Sequence, residues 1–312
     1  MDSVSRLLRM ARLEAGLDKR CLLGAGTRMD VPAHGELRAP FHVLLEGACR
    51  LQVGTVLLDL RPGDVVMIPS GAPHRVITDG GAGLTGTAES VGEVFVTTRS
   101  EDGGRPVIDL FCGHYTFDAG AGSLLLASLP DPVHVSFGQS TESDEVLRML
   151  SALMRGEARR EGEGTAAILS ALCTVLLAMV LRTSRGDTTR TALWTAAADG
   201  RIASAVEGML SDPGADWTIE RLSGAAAMSR ATFLRHFTRD TGTTVGAFLT
   251  RARLMAAAEL LTTTDATVAA VAGQVGYSSE SAFSRAFRAY LGTTPARFRR
   301  GRTRAPGAAK SG

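Results

Sequence analysis

The C-terminal third of the chain repeats itself, and a unit that must fold twice in so short a span has few architectures open to it. Thr218-Ile219-x-x-Leu222-x-Gly224 returns as Thr267-Val268-x-x-Val271-x-Gly273 at an offset of 49 residues. One inserted residue later, Phe233-x-Arg235-x-Phe237 and Gly242-Thr243-Thr244 return as Phe283-x-Arg285-x-Phe287 and Gly292-Thr293-Thr294, now at an offset of 50. Each copy reads as two short helices joined by a tight turn. In residues 218–241, Thr218 caps a helix that buries Ile219 and Leu222, Ala227-Met228 make the turn, and Ser229 caps the second helix. In residues 267–291, Thr267 opens the first helix, Gly276-Tyr277 turn the chain, and Ser279 caps its partner. Side chains four apart share a helix face, so Phe233 with Phe237, and Phe283 with Phe287, anchor each second helix to a small core.

With those backs buried, Arg230, Ala231, Leu234, Arg235, Thr238 and Arg239 occupy the outer face of one helix, and Glu280, Ser281, Ser284, Arg285 and Arg288 that of the other. A helix with an apolar back and a front of arginine and short polar groups fits the major groove of double-stranded DNA. Arg235 and Arg285 hold the same position in the two copies. Each can bond guanine O6 and N7 together, a contact worth about 1–3 kcal/mol of discrimination. Glu280 can accept from cytosine N4 and Ser281 can meet several bases. Thr238, Ser284 and Arg288 suit phosphates, which set register without reading sequence. A long helix over Val245–Leu261 joins the units rigidly, so that they meet successive major-groove segments roughly 34 Å apart. The charge balance agrees: residues 201–312 hold 15 Lys and Arg against 8 Asp and Glu, while residues 1–200 hold 19 against 24. Arg297, Arg299, Arg300, Arg302 and Arg304 add salt-sensitive attraction. A bundle with merely solvated arginines would share the charge but would not need the matched duplication.

Through Gly276-Tyr277, Ser281-x-Phe283-Ser284-Arg285-x-Phe287, Gly292-x-Thr294-Pro295 and Phe298-Arg299, residues 218–300 resemble the DNA-binding domain of AraC-type transcription regulators. The resemblance implies an all-α domain over residues 200–304, with two helix-turn-helix units on one linker helix and base readers at Arg235 and Arg285. It also implies a cytoplasmic homodimer that acts on promoter DNA with RNA polymerase, as an activator rather than a repressor. The first unit departs from the pattern at Ala231 and Leu234, where family members often carry larger or polar contacts.

Upstream, residues 29–118 read as β. Phe41–Leu45, Ala48–Val53, Leu57–Leu60 and Val65–Ile68 are short apolar or alternating runs. Glu46-Gly47, Gly54, Arg61-Pro62-Gly63-Asp64 and Pro69-Ser70-Gly71-Ala72-Pro73 separate them with turn chemistry. Asp79–Gly92 reads as a loop, and strands resume at Val94–Thr98 and Val107–Phe117. Many short strands so punctuated make a sandwich or a barrel. Gly63-x5-Pro69-x-Gly71-x2-His74 resembles the second motif of cupin barrels, implying a cupin-like sensor domain over residues 1–135 with His74 at the barrel mouth. His42 and Arg75 join His74 as lining of an effector pocket. In metal-bearing cupins that histidine works with a His-x-His and a Glu. Here His34 and His42 stand eight apart and Glu46 sits in a turn, so neither metal nor other cofactor is expected. The other reading of the motif is a cupin metalloenzyme, a dioxygenase or isomerase, fused to a helical domain.

Cys21, Cys49, Cys112 and Cys173 form no C-x-x-C pair and fit reduced thiols. Phe41–Ile77, Phe111-Cys112-Gly113 and Ser128-Leu129-Pro130 resemble the cupin sensor of a subset of AraC-type regulators. Met1-Asp2-x2-Ser5-Arg6-Leu7-Leu8, with Asp18-Lys19-x-Cys21-x-Leu23-Gly24, is similar to those that respond to reactive chlorine species. That resemblance implies cysteine oxidation as the signal, carried here by Cys21 and Cys112. From the residues themselves, Lys19 and Arg20 favour a thiolate at Cys21. Cys112 reads equally as a buried small hydrophobe, and Cys49 and Cys173 read as packing. A small organic effector in the pocket is the rival signal.

From Ser143 the hydrophobic period turns helical: Val146, Leu147, Leu150, Leu153 and Met154, then Ile168, Leu169, Leu172, Val175, Leu176 and Met179. Glu161-Gly162-Glu163-Gly164 makes this a hairpin. Within residues 136–190 it reads as connector and dimerisation element, with Thr183–Thr191 as linker. Its apolar run, Ala166 to Leu181, is interrupted by Ser170, Cys173 and Thr174 and falls short of the roughly 18–20 residues of a membrane span. The amphipathic N-terminus lacks the apolar region of a signal peptide, and no membrane partner is expected. The whole is an α+β chain: a cupin-like barrel, a helical connector and a duplicated helix-turn-helix domain, controlling transcription without catalysis.

Overall fold

The computed structural model describes residues 13–80, 83–92, 94–118, 121–126, 129–137, 141–160, 162–183 and 200–302, with Ser5, Leu8, Arg9 and Ala11 before them. The expected linker beyond residue 183, most of the opening motif, Ser128 and Arg304 lie outside the described residues. The chain runs through β1 (Glu14–Leu23), β2 (Arg28–Val31), β3 (Arg38–Glu46), β4 (Cys49–Val53) and β5 (Val56–Leu60). It continues through β6 (Asp64–Met67), β7 (His74–Ile77), β8 (Thr87–Val91), β9 (Val96–Ser100) and β10 (Ile108–Thr116). Next come α1 (Ala121–Leu126), β11 (Val133–Ser136), α2 (Thr141–Arg160) and α3 (Thr165–Thr183). The remainder is helical: α4 (Gly200–Ser211), α5 (Ile219–Ala225), α6 (Arg230–Thr241), α7 (Val245–Thr263), α8 (Val268–Gln274), α9 (Glu280–Leu291) and α10 (Pro295–Arg302). Residues 13–117 and 129–184 form one compact unit, and the described residues within 1–12, 118–128 and 185–312 another.

In the β-rich unit one sheet runs β11-β6-β3-β10-β1-β9-β8 and the other β2-β7-β4-β5. Alternate side chains of both point into one core. Cys21, Leu23, Leu44, Val66, Leu110 and Cys112 from the first sheet meet Leu51, Val53 and Val76 from the second. β3 is buried from Ala39 to Leu45 without alternation, because its other face is covered too: Phe41 stacks on Tyr115 at 4.6 Å, and the Tyr115 hydroxyl donates to the Cys173 carbonyl of α3 at 2.9 Å. Gly113 marks where β10 and β1 crowd together, since a Cβ there would lie 2.2 Å from the Gly16 carbonyl.

Two sequence expectations about the strands need correction. The stretch Asp79–Gly92 is not all loop: β8 pairs antiparallel with β9. Its residues are nearly all exposed, so no apolar alternation announces it. β1 and β2 were also outside or at the edge of the expected β region. In β1 the polar Asp18, Lys19 and Arg20 and a register shift between Leu17 and Lys19 break the period.

The hairpin forms as α2 and α3. Thr165–Arg182 is, contrary to expectation, long and apolar enough for a membrane span, with mean hydropathy 2.0. Its apolar side chains are used in packing instead: Leu169, Cys173, Leu176, Leu177 and Val180 are buried, with α3 lying on β1. Val146, Met149 and Leu153 of α2, with Ile168 and Val175 of α3, stay exposed.

In the helical unit every expected cap forms. Thr218, Ser229, Thr267 and Ser279 accept from the backbone N–H groups of Arg221, Thr232, Ala270 and Ala282. Phe233, Phe237, Phe283 and Phe287 are fully buried, and Phe237 also meets Phe248 of α7 edge-on at 5.6 Å. The two turns are built alike: Ala227 and its repeat counterpart Gly276 both take positive φ, +50° and +82°. α1 packs against α7.

Candidate DNA-reading face and sensor thiols

Burying the phenylalanine pairs turns the opposite faces of α6 and α9 outward. Arg230, Ala231, Leu234, Arg235, Thr238 and Arg239 are all exposed on α6. On α9, Glu280, Ser281, Arg285 and Arg288 are exposed and Ser284 is half-buried. Not all the arginines are equally available. Arg230 pairs with Glu220 at 2.6 Å and Arg239 with Asp240 at 2.6 Å, whereas no described side-chain hydrogen bond or ion pair engages Arg235 or Arg285. Arg299, grouped in the sequence with the basic tail, is tied to the protein, bonding the Ala266 carbonyl.

The β-rich unit gathers the sensor candidates. Cys21 on β1 stands opposite Leu110, and Cys112 opposite Lys19, so the cysteines are diagonal neighbours on paired strands. Their Sγ atoms lie 3.4 Å apart in the buried core. Cys112 is also directly opposite His42 on β3, whose Nδ1 sits 3.1 Å from Cys112 Sγ. His42 Nε2 reaches across to the second sheet, meeting His74 Nε2 at 2.7 Å. His74 Nδ1 ends the line on the Ala72 carbonyl at 2.9 Å. His74 also borders a cleft of about 590 Å³ lined by Asp30, Gln52 and Arg75. Of the expected pocket residues, His74 and Arg75 line that cleft, Arg75 facing Asp30 at 3.5 Å, while His42 is buried behind His74.

Electrostatics separate Cys112 from Cys49 and Cys173. Hydrogen bonding to Cys21 and burial push the Cys112 thiol well above its ordinary range, opposed by the Lys19 ammonium. Burial pushes Cys49 and Cys173 up to about 12. Burial, His74 and His34 hold His42 far below its usual value, and burial and His34 lower His74. Of the two cations that precede Cys21, Lys19 pairs with Glu89 and bears on both thiols. Arg20 is committed elsewhere, holding both oxygens of Asp109 at 3.1 and 2.8 Å.

Residues 2–184 match the protein family described as "Cupin", and residues 222–301 the one described as "Helix-turn-helix domain". The chain belongs to the AraC-type transcription regulators with an N-terminal cupin domain. An "Uncharacterized HTH-type transcriptional regulator" of Haemophilus influenzae is 29% identical over 96% of this chain and 99% of its own length. The "RCS-specific HTH-type transcriptional activator RclR" of Escherichia coli is 31% identical over 96% of this chain and 97% of its own. A "Putative AraC-like transcription regulator" of Streptomyces antibioticus is 31% identical over 96% and 99%. As an AraC-type regulator the chain is a DNA-binding protein whose relatives are regulators rather than enzymes. The metal of metal-bearing cupins does not fit its residues. His42 and His74 turn their Nε2 atoms on each other, and among the described residues no cluster of three or more His, Cys, Asp or Glu converges as a ligand set.

The sequence grouped His42 with His74 in one pocket but carried no signal of their bond, since the residues lie on different sheets. Lys19 was legible only as a charge near Cys21. Its effect on Cys112 follows from the pairing of β1 with β10.

Proposed function

We propose that this regulator activates transcription from promoters it reads through Arg235 and Arg285, and that joining Cys21 to Cys112 in a disulfide is the signal. The observation that carries the signal is the 3.4 Å separation of the two Sγ atoms. A disulfide needs roughly 2.05 Å, so closure asks for a shift of little more than an ångström between paired strands. The name of the E. coli relative, an RCS-specific activator, supports an oxidative signal. The guanidinium groups of Arg235 and Arg285, unpaired among the described residues, suit base edges, as do Glu280 and Ser281 on the helix of Arg285, while Thr238, Ser284 and Arg288 suit phosphates. The exposed Val146, Met149, Leu153, Ile168 and Val175 supply an apolar surface for a homodimer. RNA polymerase is the partner at the promoter, and the cytoplasm the place of action.

The test combines mass spectrometry after hypochlorite with promoter binding and transcription by a Cys21→Ser variant. A Cys21–Cys112 disulfide in the parent, and a variant blind to the oxidant, are expected; an unchanged response in the variant refutes the reading. A second reading, a small organic effector, is favoured by the cleft beside His74, Arg75 and Asp30. It predicts ligand-dependent DNA binding that survives loss of Cys21.

A further inference from the structure

The hydrogen-bonded line from the thiol pair to the Ala72 carbonyl has a direction, and its far end sets it. The Ala72 carbonyl can only accept, so His74 Nδ1 carries the ring proton and His74 Nε2 is a bare lone pair. His42 Nε2, 2.7 Å from that lone pair, must therefore donate, which leaves His42 Nδ1 bare. Cys112 can therefore donate its thiol proton to His42 Nδ1 across 3.1 Å and present its lone pairs to Cys21 Sγ once that sulfur is oxidised. The arrangement needs both sheets, His42 and Cys112 coming from β3 and β10 and His74 from β7.

We propose that His42 is the general base that removes the Cys112 thiol proton as the disulfide closes, with His74 holding His42 in the accepting tautomer and receiving its other proton. This rests on the oxidation reading above. With hypochlorous acid as oxidant, the Cys21 thiol first takes the chlorine: S–H and Cl–O bonds break, an S–Cl bond forms, and water leaves. Cys112 Sγ then attacks Cys21 Sγ, the S–S bond forms, and chloride departs with the S–Cl electron pair. Two electrons have passed from the two sulfurs to chlorine. The Cys112 proton moves to His42 Nδ1 and the His42 Nε2 proton to His74 Nε2, and His74, then carrying two, gives one up to water. This second step is the one that liberates a proton in the core, and Cys112 is the thiol with an imidazole at its sulfur.

The surrounding charges make the line neutral at rest. Cys21 and burial hold Cys112 protonated, with Lys19 working against them and Asp18 with them. Burial, His74 and His34 hold His42 uncharged, and burial with His34 does the same for His74. Proton transfer therefore accompanies the attack on Cys21 rather than preceding it.

The test follows single-turnover closure in the full chain after one equivalent of hypochlorous acid, quenched at intervals and read by mass spectrometry. The informative phase is the one whose rate is independent of oxidant concentration. Neutral imidazoles make that rate flat between about pH 7 and 8.5 in the parent. Folded His42→Gln closes about 100-fold more slowly, with a rate that climbs about tenfold per pH unit because hydroxide is then the base. His74→Gln still accepts from His42 but cannot take its proton, and falls between the two. Imidazole 15N spectra of the reduced parent show His42 protonated at Nε2 and His74 at Nδ1. A disulfide that closes in folded His42→Gln as fast as in the parent, with a flat profile, overturns the relay and leaves the oxidation reading standing. A parent that forms no Cys21–Cys112 disulfide overturns both. His42 found protonated at Nδ1 overturns the relay even where the variants fail to fold.

Discussion

Replacing Arg235 or Arg285 by alanine tests base reading apart from folding, because no described residue engages either guanidinium through a hydrogen bond or ion pair. Both are exposed, without a described hydrogen bond or ion pair, so truncation changes folding stability by no more than about 0.5 kcal/mol. Arg230 and Arg239 make poorer probes, since their ion pairs with Glu220 and Asp240 would be lost as well. If each free arginine holds a guanine by two hydrogen bonds, its loss costs about 1–3 kcal/mol, or about 5- to 150-fold in Kd. The two sit on separate helices with separate phenylalanine anchors, so the double variant loses about 2–6 kcal/mol by addition. The assay selects the preferred site from random duplexes with the parent and then measures Kd by fluorescence anisotropy at about 50 and 200 mM salt. Replacing the contacted guanine should weaken the parent but leave the matching arginine variant little changed. Arg288→Ala serves as contrast: as a phosphate contact it weakens all sequences alike and lowers the salt slope by about one. A folded Arg235→Ala/Arg285→Ala protein that binds the selected site as tightly as the parent refutes the reasoning.

The paired turns offer a second test. Ala227→Gly relieves a left-handed alanine and stabilises the helical unit by about 1 kcal/mol. Gly276→Ala adds a Cβ 2.7 Å from Arg253 Nη2 and 2.9 Å from the Gly214 carbonyl and costs about 2 kcal/mol or more; equal urea midpoints for the two variants would contradict this. Acid should loosen the barrel early. His42 and His74 stay neutral in the fold, held below the ordinary 6.5 chiefly by burial, but take up protons when unfolded. The stability they contribute is thus present above about pH 6.5 and lost below it, at up to about 1.4 kcal/mol per pH unit for each. Hydrogen exchange at β3 and β10 that does not quicken between pH 7.5 and 5.5, after correction for intrinsic rates, would be inconsistent with this. Finally, Cys49 and Cys173, at about 12, hold about one thiolate in ten thousand at pH 8. Their alkylation should run about a thousandfold slower than a free thiol's, and labelling at the free rate would show them to be ionised.

Much of the helical unit was legible because its determinants are local. A cap at Ser229 or Ser279 needs only a backbone N–H three residues on, and Phe233 with Phe237 needs only helical spacing. The duplication supplied the check, each copy repeating the other's caps, anchors and turn. β3 to β6 were legible for a similar reason, being short runs closed by glycine and proline turns. β1 was not, since Asp18, Lys19, Arg20 and a register shift hide its alternation. β8 was not, since nearly all its side chains face solvent.

The thiol–imidazole line belongs to the tertiary structure. Resemblance could single out Cys21 and Cys112, and a cupin-like motif could single out His74, but no local pattern could put them within bonding reach. Cys21 and Cys112 are brought together by the pairing of β1 with β10, and His42 joins them through the pairing of β10 with β3. His74 arrives from the opposite sheet. Sequence by itself determined the two helices that expose Arg235 and Arg285, because helix periodicity and capping act over a few residues. The geometry of the thiol–imidazole line was decided by the closing of two sheets on one core, because only that brings together side chains so far apart along the chain.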